Sequence, residues 1–211
     1  CTTGYDYFKN KNGYLINSYD GNGKEIKAFF NVLINTESSQ AGHNTFSNDF
    51  YFGSGDSNYA PLASIDIIAH EYGHAITIHN IGWDGNSPYP ELNAIDEGMS
   101  DIWSVILENR IAPVSIWQSG DIIHINKECE REFKNTYNPN AKHSIADTYF
   151  GQFYNDNSNE YARSGVFSHW FYILVEGESG TNELGNYYDV QGIGMDAAED
   201  LVFITDIFDI K

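Results

Sequence analysis

Apolar residues recur at strand-like spacing in the first part of the chain and at helical spacing in the rest. The runs 26–34 and 49–52 lie in a stretch rich in Tyr, Phe, Asn, Gly and Ser, and they are predicted strands separated by turn residues. Helices are predicted at 62–81, 94–112 and 164–175, and a last one begins at Asp196. Gly177 is the end signal for the third of them. The sequence therefore predicts an α+β protein.

The predicted helix 62–81 contains the motif HEYGH at 70–74. Residues four apart share one face of a helix, so His70 and His74 can direct both imidazoles at one ion, with Glu71 beside them. A hydrolytic zinc needs this arrangement, because zinc in catalytic sites takes three protein ligands and keeps a position for water.

The predicted helix 94–112 can supply the third ligand. Glu97, Asp101 and Glu108 lie along one side of this helix, whose other positions are largely apolar. We predict Glu97 as the ligand and Asp101, one turn further, as the acceptor of the outer N–H of a ligating histidine. The alternative is that the histidines are ordinary polar residues of a core helix, in which case the second motif is a coincidence.

These motifs resemble the thermolysin-like neutral metallopeptidases, and the likeness runs along most of the chain. Its main segments are HEYGH at 70–74, EGMSD at 97–101, SGVFSHWFY at 164–172, DGNG at 20–23, GSGD at 53–56 and GIGMD at 192–196. The resemblance implies a two-lobed fold with the active-site helix between the lobes. Its parts are the remainder of a β-rich N-terminal lobe at 1–60, a central zinc-binding helix at 61–82 and a mainly helical C-terminal lobe at 83–211. The family domain extends beyond both ends of the chain, so we expect this chain to be incomplete relative to it.

The resemblance implies zinc on His70, His74 and Glu97, with Glu71 as general base and proton shuttle and Asp101 as the partner of a ligating histidine. All five positions are intact. The expected cofactors are zinc and calcium.

Two other positions depart from the family pattern. The family has a histidine that donates a hydrogen bond to the oxyanion, and here that register gives Tyr161, although Asp156, expected to orient the histidine, is present. The family also has an arginine shortly before an Asn-Pro pair, here at 138–139. Counting back from that pair places Lys134 at the arginine position, with Arg131 nearby as the alternative. A tyrosine hydroxyl and a lysine can still donate, but loss of one oxyanion donor typically lowers turnover about 10²–10³-fold. We therefore expect a functional zinc site and a peptidase activity that these changes can weaken.

The resemblance also implies contacts with the substrate, and it assigns them to Asn44, Thr45, Phe46, Ile67 and Phe133. The segment 44–46 resembles an edge strand that hydrogen-bonds the substrate backbone. A surface loop with a buried Phe46 is the alternative. Ile67 and Phe133 stand where the family has the walls of a pocket for an apolar side chain just after the scissile bond. Tyr89 is the nearest candidate for a tyrosine contributed by the loop before the second helix.

The resemblance also implies calcium, with the carboxylates of Asp66, Glu108 and Asp121 as its ligands. Hard oxygen ligands suit calcium, but Ile116 and Gln118 replace two expected acids, so a weaker or single site follows. A hydrogen-bonded carboxylate cluster without calcium is the alternative.

Three further predictions concern the remaining polar residues. His169 lies in an apolar helix and is predicted to be a packed core histidine. Cys129 sits among acidic residues that raise the pKa of its thiol, so it is a poor nucleophile, and it could pair with Cys1. Asp196 and a glutamate three residues later resemble a helix capping pair.

Charge narrows the classes of partner. The formal net charge is −19, with 30 acidic and 11 basic residues, which argues against nucleic acid and anionic membranes as partners. No apolar run approaches the about 20 residues that cross a bilayer. We expect a secreted monomer that acts on peptides or proteins, with any export signal and propeptide upstream of this chain.

Two functions from different classes remain at this point. The first is a zinc endopeptidase with a preference for a hydrophobic residue after the scissile bond. The second is a degenerate relative that binds zinc and peptides with little turnover, for which Tyr161 is the main support. A zinc aminopeptidase would also need residues that hold a free substrate amine, and no such motif is present.

Overall fold

A computed structural model of the chain describes residues 6, 19–20, 23–81, 89–113, 116–126, 128–137, 141, 143–156 and 159–205. The strands are β1 Lys27–Val32, β2 Ala41–His43, β3 Asp49–Gly53, β4 Gln118–Ser119, β5 Arg131–Glu132, β6 Glu178–Thr181 and β7 Tyr187–Val190. The helices are α1 Ile65–Ile81, α2 Pro90–Ile111, α3 Gln152–Asp156, α4 Glu160–Glu176 and α5 Met195–Ile204. The predicted α+β class is confirmed, with a sheet first and most of the helices after it.

The first three strands form a sheet in the order β1–β3–β2, with β1 parallel and β2 antiparallel to β3. The predicted strands 26–34 and 49–52 correspond to β1 and β3. Alternate residues of β3, Phe50 and Phe52, are buried, as expected for a strand with one face on a core. Phe50 stacks on Tyr72 of α1 with ring centroids 6.1 Å apart, so this face of the sheet packs on the helix that carries the histidines.

Residues 44–48 form a turn, which corrects the predicted edge strand at 44–46. Asn44 Oδ1 accepts hydrogen bonds from the backbone N–H groups of Phe46 and Ser47, both at 3.0 Å. An asparagine side chain that bonds the following backbone in this way favours a turn over an extended strand. The alternative, a surface loop with a buried Phe46, is right about the loop and wrong about the side chain, since Phe46 is 93% exposed.

Helices α1 and α2 differ from their predicted bounds at their first residues. Leu62 donates its backbone N–H to the Gly53 carbonyl at 3.1 Å, so it still belongs to the end of the sheet and α1 begins at Ile65. Helix α2 begins at Pro90, earlier than predicted, because proline has the φ angle that the first helical turn requires.

Two glycines allow the central helices to approach closely. A Cβ added at Gly73 of α1 would lie 2.7 Å from the Cα of Ser100 in α2. A Cβ added at Gly98 of α2 would lie 2.6 Å from the Cβ of Phe167 in α4. Because neither position has room for a side chain, the three helices pack more closely than larger residues would allow.

The core lies around α1, α2 and α4 and includes the fully buried Trp103 and Phe171. The predicted capping pair at the start of α5 is wrong. Glu199 is fully buried and accepts hydrogen bonds from Arg110 Nε at 2.9 Å and Nη2 at 2.6 Å, so its charge is paired with α2 and does not cap its own helix. Within the described residues, no helix combines the length and apolarity needed to span a bilayer.

Candidate metal centre

The imidazoles of His70 and His74 and the carboxylate of Glu97 converge between α1 and α2. His70 Nε2 lies 3.2 Å from Glu97 Oε2, and His74 Nε2 lies 3.7 Å from Glu97 Oε1. One donor atom from each of the three lies within 4.8 Å of the other two, and no other such trio of His, Cys, Asp or Glu occurs among the described residues. The structure thus brings together the three predicted ligands.

Each histidine has a carboxylate behind it. His70 Nδ1 lies 3.0 Å from Asp101 Oδ1, as the sequence predicts. His74 Nδ1 lies 2.8 Å from Asp96 Oδ2 and 3.1 Å from Ser100 Oγ. These contacts to Nδ1 fix the orientation of each ring and leave Nε2 for a metal. Sequence reasoning missed Asp96, although Asp96 and Ser100 are one helical turn apart and therefore share a face.

This donor set fits zinc. Two imidazole nitrogens and one carboxylate oxygen form a known set of zinc ligands in hydrolytic sites. Glu97 Oε2 is buried and lies 3.2 Å from His70 Nε2. The two atoms therefore face each other as ligands of a shared ion would.

The charges around the histidines favour a cation at this point. Burial lowers the pKa of His70, but the carboxylates of Asp101 and Glu97 outweigh burial and raise that pKa to about 10. Burial likewise opposes the charge of His74, whereas Asp96 and Glu97 raise its pKa to about 9. The surrounding carboxylates thus stabilise positive charge, which a metal ion supplies when it displaces the protons.

Glu71 is buried next to the first ligand and faces open space. It lines a cavity of about 370 Å³, here called the Ile67 cavity, and a second of about 260 Å³, here called the Thr45 cavity. His70 and Tyr161 line both cavities as well. Burial raises the pKa of Glu71, and a carboxylate with a raised pKa in a cleft suits the transfer of a proton.

Of the two predicted cationic residues, Arg131 lines the Ile67 cavity beside the metal centre and Lys134 does not. Arg131 donates from Nε to Asp101 at 3.0 Å and from Nη2 at 2.5 Å, and it lines the Ile67 cavity. Lys134 is exposed and lines neither cavity. Successive side chains of an extended segment point to opposite sides, so Arg131 and Phe133 turn inward and Lys134 turns outward. Counting along the sequence could not reveal this alternation.

Tyr161 lies at the start of α4 and faces the metal centre. The helix is capped by Asn159, whose Oδ1 accepts a hydrogen bond from the Tyr161 N–H at 2.9 Å. The guanidinium carbon of Arg131 lies 5.4 Å from the centre of the tyrosine ring, and His143 stacks on that ring at 5.9 Å. The charge of Glu97, with burial second, raises the pKa of Tyr161 to about 12, so the hydroxyl keeps its proton and can donate it in a hydrogen bond.

The predicted substrate residues separate into two groups. Ile67 and Thr45 line the cavities that carry their names. Phe133 lines neither cavity, because its ring is buried in the core, and its carbonyl lies 2.7 Å from His169 Nδ1. His169 is buried, as predicted. The other two predicted substrate residues, Asn44 and Phe46, lie in the turn at 44–48.

A second group of carboxylates lies on the same pair of helices. Asp66 Oδ2 accepts the Gly120 N–H at 2.7 Å, whereas Asp66 Oδ1 and Glu108 Oε2 are buried without a hydrogen-bond partner among the described residues. Burial, followed by the charges of Asp66 and Asp121, raises the pKa of Glu108 to about 8. The acids of this group raise one another's pKa, so a proton on Glu108 is favoured.

Of the four remaining predicted positions, Cys129 and Tyr89 lie apart from the metal centre, and the other two fall outside the described residues. Cys129 is buried, and burial together with Glu132 raises the pKa of its thiol to about 12, which agrees with a poor nucleophile. Cys1 and the side chain of Asp156 lie outside the described residues. Tyr89 is 65% exposed before α2 and lines neither cavity.

Two histidines four residues apart on one helix, with a buried glutamate beside them and a further glutamate on the next helix, are typical of one class of zinc metallopeptidase. The family description "Thermolysin metallopeptidase, catalytic domain" matches residues 1–78, and "Thermolysin metallopeptidase, alpha-helical domain" matches residues 90–209. The chain belongs to the thermolysin metallopeptidase family.

Individual relatives agree with this assignment. The chain is 30% identical over 196 residues to bacillolysin from Brevibacillus brevis, covering 90% of this chain and 33% of that protein. It is 29% identical over 200 residues to thermolysin from Alicyclobacillus acidocaldarius, covering 91% of this chain and 33% of that protein. The chain thus spans about one third of the length of these relatives. A precursor of protealysin from Serratia proteamaculans has the same fold, with a TM-score of 0.65, 19% identity, and coverage of 82% of this chain and 56% of that one.

Proposed function

We propose that the protein is a zinc-dependent endopeptidase that hydrolyses peptide bonds. The observation that carries this proposal is the convergence of His70, His74 and Glu97 beside the buried carboxylate of Glu71, which lines two cavities. Membership of the thermolysin metallopeptidase family supports zinc as the metal and peptides or proteins as the substrates.

In this proposal each residue has a defined part. His70, His74 and Glu97 would hold the zinc, which when bound would supply Lewis acidity toward the scissile carbonyl and a water molecule. Glu71 accepts a proton from water as the new C–O bond forms, and it delivers that proton to the amide nitrogen as the C–N bond breaks. Tyr161 donates a hydrogen bond from its protonated hydroxyl to the oxygen that gains negative charge.

Arg131 acts beside this chemistry as a positioning residue. Its two hydrogen bonds hold Asp101, and Asp101 in turn faces Nδ1 of His70. Ser168 Oγ also donates to Asp101, at 3.2 Å. The orientation of one ligating ring therefore depends on a buried and fully paired carboxylate.

We further propose a preference for a hydrophobic residue just after the scissile bond. Leu62, Ile67 and Ile123 supply an apolar part of the Ile67 cavity, next to His70 and Glu71. Burial of an apolar side chain against these residues favours binding by about 0.8 kcal/mol per buried CH₂ group.

Calcium, compartment and partners complete the proposal. The buried oxygens Asp66 Oδ1 and Glu108 Oε2, which have no hydrogen-bond partner among the described residues, support these two residues as calcium ligands, and the resemblance implies Asp121 as the third. The three residues do not offer donor atoms within 4.8 Å of one another, so calcium would have to draw them closer together. The net charge of −19 supports a soluble monomer that binds neither nucleic acid nor membranes. Membership of the thermolysin metallopeptidase family supports a secreted protein. The lobe boundaries after 60 and after 82 stay predictions.

The second candidate function is a degenerate relative that binds zinc and peptides with little turnover. Tyr161 favours it, since a tyrosine stands where the family has a histidine. The presence of Glu71 argues against a degenerate relative, because a protein that binds zinc and peptides without cleaving them has no chemical need for a buried carboxylate beside the metal.

One assay separates the two functions. The full chain is loaded with zinc and tested on an internally quenched peptide, alongside Glu71→Ala, Tyr161→Phe and Tyr161→His. We expect the unaltered chain to cleave, Glu71→Ala to abolish cleavage while retaining zinc, and Tyr161→Phe to lower kcat about 10²–10³-fold as expected for one lost oxyanion donor. Absence of cleavage by the unaltered chain, with cleavage by Tyr161→His, would instead establish the degenerate function.

A further inference from the structure

Another cavity, between α4 and the β6–β7 hairpin, lies away from the metal centre. It has a volume of about 610 Å³, and we call it the Trp170 cavity after a side chain on its wall. Val166, Trp170 and Ile173 lie three or four residues apart on one face of α4 and supply an apolar wall. The cavity shares no lining residue with the Ile67 cavity or the Thr45 cavity. Trp170 follows Tyr161 by nine residues, about 13 Å along the helix, so the cavity is separate from the proposed site of hydrolysis.

Two carboxylates, Asp147 and Glu183, also line the Trp170 cavity, and its described lining residues include no lysine or arginine. Asp147 is half-buried. The hydrogen-bond donors to its carboxylate are the hydroxyl groups of Thr148 at 2.7 Å, Tyr137 at 3.4 Å and Thr136 at 3.5 Å. A charged donor forms a stronger hydrogen bond to a carboxylate than a neutral hydroxyl does, so this cavity favours a cation.

The pKa values of two tyrosines on the cavity wall reflect its negative potential. Burial, followed by the charges of Asp147 and Glu183, raises the pKa of Tyr137 to about 12. Burial, followed by the hydrogen bond and charge of Glu178 and by the charge of Asp147, raises the pKa of Tyr188 to about 12. The same charges that disfavour a tyrosine anion attract a cation to the cavity.

His169 adds a hydrogen-bond acceptor to this cavity. The residue lines the cavity and is only 8% exposed. Its Nδ1 lies 2.7 Å from the carbonyl of Phe133, which is outside the cavity, and a carbonyl only accepts, so Nδ1 is the donor. In the neutral ring Nε2 is then an acceptor, and it makes no hydrogen bond to a described residue. A ligand with several N–H donors would satisfy this nitrogen as well as the carboxylates.

We propose that the Trp170 cavity binds the arginine side chain of a peptide or protein. A guanidinium has five N–H donors in one plane, so it can donate to Asp147 and His169 while its face stacks on Trp170, which is 44% exposed. The aliphatic stem packs on Val166 and Ile173. The compact ammonium of lysine has the same charge but lacks the planar face and the fork of donors, so arginine is preferred. The cavity thus gives the protein a point of contact for polypeptides that does not depend on hydrolysis.

The test measures binding of three blocked tripeptides that have glycine at both ends and arginine, citrulline or lysine in the middle. Citrulline has the shape of arginine without its charge. The peptides are titrated into zinc-loaded Glu71→Ala, and the indole N–H signal of Trp170, assigned with Trp170→Phe, reports binding by NMR. We expect the arginine peptide to shift this signal and to bind about 10-fold or more tightly than the citrulline peptide, the effect of a hydrogen bond to a charged group. The lysine peptide should bind between the two.

Substitution of the carboxylates should weaken binding of the arginine peptide. We expect Asp147→Asn to lower the affinity about 10- to 100-fold and Glu183→Gln, at an exposed position, to lower it by less than about 10-fold. Asp189→Asn is the matched control, since it removes an exposed carboxylate of the same hairpin that does not line the cavity. Tyr188 and Val190 on either side of it do line the cavity, so Asp189 points to the opposite side of β7. Thermal unfolding shows whether each variant is folded.

Three results would overturn the inference. The first is equal affinity for the arginine and citrulline peptides, and the second is an affinity that Asp147→Asn and Glu183→Gln both leave unchanged. The third is binding of methylguanidinium as tight as that of the arginine peptide, which would assign the cavity to free guanidinium compounds, since loss of the stem should cost about 10-fold or more. The readout at Trp170 requires no cleavage, so failure of this inference leaves the endopeptidase function intact, and failure of that function leaves this inference intact.

Discussion

The metal centre lies on helices α1 and α2, whereas a second cluster combines Asp66 and Glu108 of these helices with Asp121 of the turn after β4. The two clusters differ in how their charges are paired. At the metal centre, both nitrogens of His70 and both of His74 face carboxylates between 2.8 and 3.7 Å away. In the cluster of Asp66, Glu108 and Asp121, acids face one another, and the pKa of Glu108 rises to about 8.

The metal centre is formed before it binds an ion, whereas the carboxylate cluster depends on what it binds. The partners behind the histidines fix the ligand geometry before any metal arrives. The carboxylate cluster holds like charges together, so it needs a proton or a cation to be stable. We therefore expect metal removal to leave the geometry of the first site intact and to destabilise the second.

The largest expected effect is loss of the metal from Glu97→Ala. Removing a ligand should lower zinc affinity and peptidase activity by more than the about 10–100-fold that is typical for a partner behind a ligand. Zinc content after dialysis and kcat/KM measure the effect. Glu91→Ala, at an exposed position in the first turn of the same helix, is the control. Full zinc retention by Glu97→Ala would show that the trio does not form the site.

A smaller effect is expected when the carboxylates behind the histidines are changed. Asp96→Asn and Asp101→Asn should each weaken zinc binding about 10–100-fold, measured by competition with a chelating dye. Asp101→Asn should also lower the free energy of unfolding by about 3–5 kcal/mol, because it leaves the buried Arg131 without its partner. Unchanged zinc affinity in both variants would contradict formation of the site in advance.

The smallest expected effect concerns pH and the second cluster. Without metal, the pKa of Glu108 is raised to about 8 by burial and by the charges of Asp66 and Asp121. A group whose pKa is higher in the folded state stabilises the fold below its unfolded pKa, about 4.3, and this stabilisation is lost as the pH rises through the folded value.

Calcium should replace the proton on the alkaline side. We expect it to raise Tm by several degrees at about pH 9 and by much less at about pH 5, since 1 kcal/mol shifts Tm by about 2–4 °C in a domain of this size. In Glu108→Gln, both the calcium effect and this pH dependence should shrink. Equal calcium stabilisation at both pH values would contradict this account of the cluster.

The sequence was sufficient for the parts of the site that local spacing determines. His70 and His74 are four residues apart on one helix, and Glu97 and Asp101 are four apart on the next, so each pair shares a face whatever the rest of the chain does. Only the contact between the two helices had to be inferred, and the lack of room at Gly73 accounts for their approach.

The remaining residues depend on contacts that spacing does not reveal. Arg131 reaches the site because β5 pairs with β4 and turns that side chain inward, whereas counting selects Lys134. The edge strand predicted at 44–46 is a turn in the structure, because the Asn44 side chain accepts hydrogen bonds from the backbone that follows it. The spacing of residues did not predict a role for Asp96, because that role depends on the position of His74 in the neighbouring helix.

The most direct test is a crystal structure of the zinc-loaded protein with anomalous diffraction recorded at the zinc edge. We expect one anomalous peak about 2.0–2.2 Å from Nε2 of His70, Nε2 of His74 and a carboxylate oxygen of Glu97. A peak elsewhere, or a Glu97 side chain directed away from both histidines, would contradict it.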